Sequence, residues 1–98
     1  MTKMTTEEAF VKVLQTHGIE QAFGIIGSAF MPISDLFPAA GITFWDVAHE
    51  SNGGLIADGY TRATGKMSMV IAQNGPGITG LVTPIKTAYW NHTPLLLV

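Results

Sequence analysis

The stretch WDVAHESNGGLIADGY, residues 45–60, decides how the rest of the chain is read. An apolar, strand-like run ends in His49-Glu50, and the segment that follows reads as a helix although it contains Gly53 and Gly54. The residues before the glutamate (Phe44, Trp45, Val47, Ala48) predict a buried strand end, where an ionised carboxylate needs a specific partner. Each glycine inside a helix costs roughly 1 kcal/mol against alanine. That cost is acceptable where another backbone or a flat ligand has to come close. A glutamate in a first helical turn is also favoured by the helix dipole alone, and this plainer reading stands beside the functional one.

Outward from this unit, strand and helix alternate. TTEEAFVKVLQTHG (5–18) opens with a capping box, Thr5 and Glu8, carries Phe10, Val13 and Leu14 at helical spacing, and stops at Gly18. QAFGII (21–26) reads as a buried strand. GSAFMPISDLF (27–37) reads as a tight turn into a helix, with Ser28 as cap and Pro32 in the first turn. GITFWDVA (41–48) is the second strand, and ESNGGLIADGYTRATG (50–65) a helix closed by Gly65. KMSMVIAQ (66–73) is a third strand, NGPG (74–77) a turn, ITGLVTPIKTAYW (78–90) a helix, and PLLLV (94–98) a fourth strand. Near-continuous apolar strands joined through helices predict an α/β fold, an open parallel sheet flanked by helices. Ligands in such sheets bind at the carboxyl ends of the strands. GIIGSA (24–29), AHESNGG (48–54) and QNGPGI (73–78) should converge there.

Composition narrows the function classes. Of 98 residues, 47% are hydrophobic and 12% charged, against about 25% charged in an average domain. So apolar a chain predicts burial against a partner or membership of a larger protein, and the uncapped apolar end TPLLLV favours the latter, a truncated domain. The net charge is −2 and the five basic residues are scattered, which argues against nucleic acid or an anionic membrane as partner. There is no cysteine, no signal-peptide core and no membrane-length apolar run, so a soluble, cytoplasmic protein is expected. His17, His49 and His92 show no metal-ligand spacing with the carboxylates. GIIGSAF is not a dinucleotide fingerprint, and no P-loop occurs. QNGPGITG (73–80) can cradle an anion with its N–H groups or serve as an ordinary turn into a helix. Trp45, Trp90 and the five methionines are expected in the core.

Taken together, FGIIGSAFMPISDLF, HESNGGLIADGYTRATGK and QNGPGITGLVTPIKTAYWNHTPLLLV resemble, in this order, the N-terminal pyrimidine-binding domain of thiamine diphosphate-dependent enzymes of the acetolactate synthase type. The resemblance implies that Glu50 is catalytic, hydrogen-bonding N1′ of the cofactor's aminopyrimidine. A carboxyl group there favours the imino tautomer of the ring, whose 4′-nitrogen removes the thiazolium C2 proton. It also implies cofactor contacts from Ile26-Gly27-Ser28, which stand at the family's PGG-like turn with Ile and Ser replacing Pro and Gly. Further contacts come from Pro76 and Gly77 of the family's SGPGATN loop. Asn74 replaces the Ser of that loop and suits a sulfonate or carbonyl oxygen of the substrate, as His49 does if it faces the site. Gly80 replaces its Asn, which puts any role of that side chain in doubt.

Within the family, HESNGG, AQNGPGIT and TAYWNHTPLLLV are most similar to members that cleave sulfoacetaldehyde with phosphate, giving sulfite and acetyl phosphate. The implied cofactors are thiamine diphosphate and Mg²⁺. The diphosphate and metal are held in this family by a GDG…N motif of a C-terminal domain, and no such motif occurs here. Residues 1–98 are thus expected to be the N-terminal part of the pyrimidine-binding domain, without the middle and C-terminal domains, inactive alone and poorly soluble. The small-molecule substrate would be bound in a homodimer or homotetramer with the active site between subunits. An acetolactate synthase-like carboligase, a 2-oxoacid decarboxylase and a non-catalytic anion-binding module are the rival readings.

Overall fold

The computed structural model describes residues 3–98, so Met1 lies outside the described residues. Thr5 caps the first helix, α1 (Thr6–Thr16), and the reciprocal pair with Glu8 forms as the spacing predicts, Glu8 N–H donating to Thr5 Oγ1 at 3.1 Å. Its C-terminus closes at Gly18, φ +73, with Gly18 N–H bonded to Gln15 O and Ile19 N–H to Leu14 O. That double bond pattern is a Schellman motif, and its apolar pair, Leu14 and Ile19, is buried.

Four short parallel strands follow, β1 (Gln21–Gly24), β2 (Thr43–Asp46), β3 (Ser68–Ile71) and β4 (Leu95–Leu97), in the sheet order β2-β1-β3-β4. Ala22 stands beside Phe44 on one side and Met69 on the other. Side chains alternate across the sheet as a two-residue period demands. Ala22, Met69 and Ile71 join Val11, Leu14 and Phe37 in one core layer. Phe23 and Val70 join Ala57 and Leu81 in the other. β3 is buried at every position, as a strand covered on both faces must be. Among the described residues no helix is long and apolar enough to cross a membrane.

Three expectations are corrected. Residues 27–37 do not form one helix. Ser28 lies in a turn and caps nothing, and two single-turn helices follow, α2 (Met31–Ser34) and α3 (Phe37–Ala40). Each has a proline in its first turn, where the missing N–H costs least, so the chain restarts there instead of continuing. NGPG is not a turn ahead of a helix but its beginning: α5 runs Asn74–Gly80, and α6 (Val82–Trp90) starts after a break at Leu81. Pro84 has no N–H for the carbonyl of Gly80, which explains the break. Finally, Trp45 and Trp90 are 53% and 74% exposed, and Met4 and Met31 are exposed too, leaving Met69 fully inside. β2 is an outer strand, and α4 (Glu50–Thr64) packs mainly on β1 and β3, so the Trp45 face of β2 stays uncovered. The Trp45 indole instead donates to Gln21 Oε1 at 2.6 Å.

Candidate active site

The carboxyl ends of β1, β2 and β3 form one edge, and backbone bonds tie their loops together. Val47 N–H donates to Gly24 O at 3.1 Å, and Ile25 N–H to Ile71 O at 3.2 Å. Gly24 has φ +152 and presses on the Ile71 backbone, where no Cβ would fit. α4 rises from this edge with Glu50 as its first residue.

Glu50 is only 8% exposed. The expectation placed it at a buried strand end, but β2 is largely exposed and so are Ala48 and His49. Its cover comes from α5 instead. A Cβ on Gly77 would stand 3.2 Å from Glu50 Oε1 and 3.1 Å from the Ala72 carbonyl carbon. Only a glycine lets α5 close over the carboxylate this tightly. Among the described residues the Glu50 carboxylate has no hydrogen bond and no ion pair. Neither of its oxygens is fully enclosed, so the carboxylate stays open to water or a ligand at the sheet edge. The other deeply buried carboxylate, Asp58, differs: its Oδ2 is paired with Arg62 Nη2 at 2.8 Å, while its Oδ1 is left alone.

The two glycines of α4 are explained by packing. A Cβ on Gly53 would lie 3.3 Å from Gly24 Cα, and one on Gly54 would enter the ring of Pro84. The helix needs both to seat on β1 and α6. At Gly53 it is the backbone of Gly24 that comes close, and at Gly54 the ring of Pro84.

The remaining candidates divide. His49 caps α4, its Nδ1 accepting from Ser51 N–H at 3.1 Å, and its ring rests on Gly80. Gly27 lies at the edge of the site beneath the amide of Gln73, whose atoms occupy the place a Cβ would take. Ile26 turns its side chain into the first core layer and leaves only backbone at the edge. Asn74 and Pro76 are exposed in the first turn of α5, and neither touches the carboxylate in the described contacts. Asn74 adopts φ +50, a region that Asn tolerates better than most residues. The sequence reading missed Gln73 and the packing role of Gly80; the signal for Gln73 was its place at a strand end beside Asn74. No cluster of three or more metal-ligating side chains exists among the described residues. A hollow of about 540 Å³ lies away from these loops, between Ala88 and Pro94, and no carboxylate lines it.

A carboxyl without a partner among the described residues, accessible beside a glycine-lined edge, fits a flat ring bearing a basic nitrogen. Comparison with known proteins points the same way. Residues 4–98 match the family described as thiamine pyrophosphate enzyme, N-terminal TPP binding domain. The chain is 81% identical over 96 residues to a sulfoacetaldehyde acetyltransferase of Roseovarius nubinhibens, covering 98% of this chain and 16% of that protein. It is 37% identical over 100 residues to an acetolactate synthase of Arthrospira platensis, covering 98% of this chain and 17% of that one. Its fold is similar to that of a benzoylformate decarboxylase from Polynucleobacter necessarius, with TM-score 0.88, 25% identity, and coverage of 97% of this chain and 18% of the other. The chain therefore spans about a sixth of the length of the curated relatives it matches.

Proposed function

The chain belongs to the thiamine pyrophosphate enzymes through their N-terminal TPP binding domain, and from that membership we propose that it forms the pyrimidine side of an acetyltransferase converting sulfoacetaldehyde and phosphate into acetyl phosphate and sulfite. Thiamine pyrophosphate, the same compound as thiamine diphosphate, supplies a nucleophilic carbon and an electron sink when bound. The residues of this chain hold and tune it. Glu50 keeps a proton at the N1′ position of the pyrimidine ring, with α5 packed against one of its carboxylate oxygens. Gly77 gives that carboxylate its close cover, and the backbone of Ile26 and Gly27 with Pro76 borders the ring. Asn74, and His49 through its free ring nitrogen, face the sulfonate or carbonyl oxygens of the substrate. The diphosphate and Mg²⁺ are taken by a C-terminal domain, across the interface of a homodimer or homotetramer, and residues 1–98 are the incomplete pyrimidine-binding domain.

The observation that carries this reading is Glu50 itself, a largely covered residue at the head of α4 whose carboxylate has no hydrogen bond or ion pair among the described residues and stays accessible at the sheet edge. The acetyltransferase is favoured over a carboligase because the likeness to relatives of that name is much the greater. The test is sulfite release from sulfoacetaldehyde and phosphate by the complete enzyme, with and without thiamine diphosphate and Mg²⁺. Cofactor-dependent sulfite is the expected result. Turnover of pyruvate without sulfite would move the substrate to the acetolactate synthase or decarboxylase class. Turnover of neither, with anion binding indifferent to Glu50→Gln, would leave a binding module.

A further inference from the structure

Helix N-caps favour Ser, Thr, Asp and Asn, yet α4 is capped by a histidine. His49 has the extended backbone of an N-cap, φ −150 and ψ 143. Its Nδ1 accepts the Ser51 backbone N–H at 3.1 Å and lies 2.8 Å from Ser51 Oγ. A backbone N–H can only donate, so Nδ1 carries no proton and the proton of the neutral ring sits on Nε2. The ring itself is seated by α5, since a Cβ on Gly80 would come within 3.0 Å of Cε1. One helical turn earlier on the same face, Gly77 lies against Glu50 Oε1. Two consecutive residues, His49 and Glu50, thus rest on two glycines spaced three apart. With no hydrogen bond of its own among the described residues, the Glu50 carboxylate is placed by two things: this glycine face, and the first turn of α4 that His49 closes.

We infer that His49 is a positioning residue for Glu50, competent only as the neutral Nε2–H imidazole. This deepens the reading of Glu50 as the cofactor's partner and rests on it. A proton on Nδ1 would turn the acceptor into a donor facing the Ser51 N–H, and the first turn would loosen. Protonation of the ring therefore removes the acceptor on which the cap depends. On its own segment the neighbouring charged groups are Asp46 and Glu50, and α5, against which the ring packs, has no titratable side chain.

The test uses the complete enzyme freed of cofactor and measures its affinity for thiamine diphosphate by calorimetry from about pH 5 to 8. Turnover is followed in parallel. His49→Asn keeps an acceptor that does not titrate, and His49→Ala removes it. The wild type should lose affinity toward acid, the Asn variant should hold a flatter profile, and the Ala variant should be weaker throughout by about 2- to 30-fold, the range for a lost cap. If the Ala variant fails to fold, the profile of the Asn variant decides alone. An Asn variant with the wild-type pH dependence, or one as weak as the Ala variant, overturns the inference and leaves the cofactor reading intact. A wild type that binds no thiamine diphosphate at any pH overturns both.

Discussion

In the proposed site Glu50 and Gly77 are the two deciding residues, and their relation is steric. The carboxylate gains its close cover because position 77 has no side chain, and α5 can then lie directly on it. Gly77→Ala would place a methyl group 3.1–3.2 Å from the Ala72 backbone and from Oε1. Overpacking of this kind costs about 1–3 kcal/mol. Thiamine diphosphate affinity of the complete enzyme, read by calorimetry, should fall by about 10-fold or more while its circular dichroism stays unchanged. Unaltered affinity would show that α5 does not set the carboxylate. That Glu50 opens a helix at the sheet edge was legible in the sequence, from a carboxylate followed by small residues at a strand-to-helix junction. Its cover was not legible. The sequence neighbours of Glu50 suggested β2 as the wall, whereas the wall is α5, more than twenty residues onward, which only the three-dimensional path of the chain brings back.

At the scale of the element, α4 separates two uses of glycine that look alike in sequence. Gly54 lies where a Cβ would collide with Pro84 of α6, while Gly59, one and a half turns further along, faces open space. Gly59→Ala should therefore stabilise the protein by roughly 1 kcal/mol through helix propensity. Gly54→Ala should destabilise it by about 1–3 kcal/mol, because the collision outweighs the propensity gain. Thermal midpoints of the two variants of the complete enzyme check this, and shifts of the same sign would contradict the packing described. The alternation of strands and helices was readable because apolar runs of β-branched and aromatic residues are unambiguous here. The breaks at residues 30–37 and at Leu81 were not anticipated. Prolines 32, 38 and 84 are each compatible with a helical first turn, and only the fold shows that the chain uses them to start anew.

At the scale of the molecule, the sheet has one well-buried centre and two weaker flanks. β3 is covered on both faces, β2 is an open edge, and α5–α6 present Ile78, Val82, Ile85 and Tyr89 to solvent. Apolar exposure of this extent marks a surface that is covered in the working assembly. Residues 1–98 expressed alone should self-associate in size-exclusion chromatography and release no sulfite; a monodisperse monomer would contradict this account of its surface. Composition made the excess apolar surface foreseeable. Which residues carry it was not, since both tryptophans had been assigned to the core and both lie outside it.

The central claim is that Glu50 holds the proton at the pyrimidine ring, and exchange of the C2 proton of enzyme-bound thiamine diphosphate for deuterium tests it most directly. The rate is measured by NMR after rapid acid quench of the complete enzyme, wild type against Glu50→Gln. Exchange slower in the variant by about 10²- to 10⁴-fold, the usual worth of a positioned acid–base group, with cofactor still bound, is the predicted result. Equal exchange rates in the two proteins would contradict it.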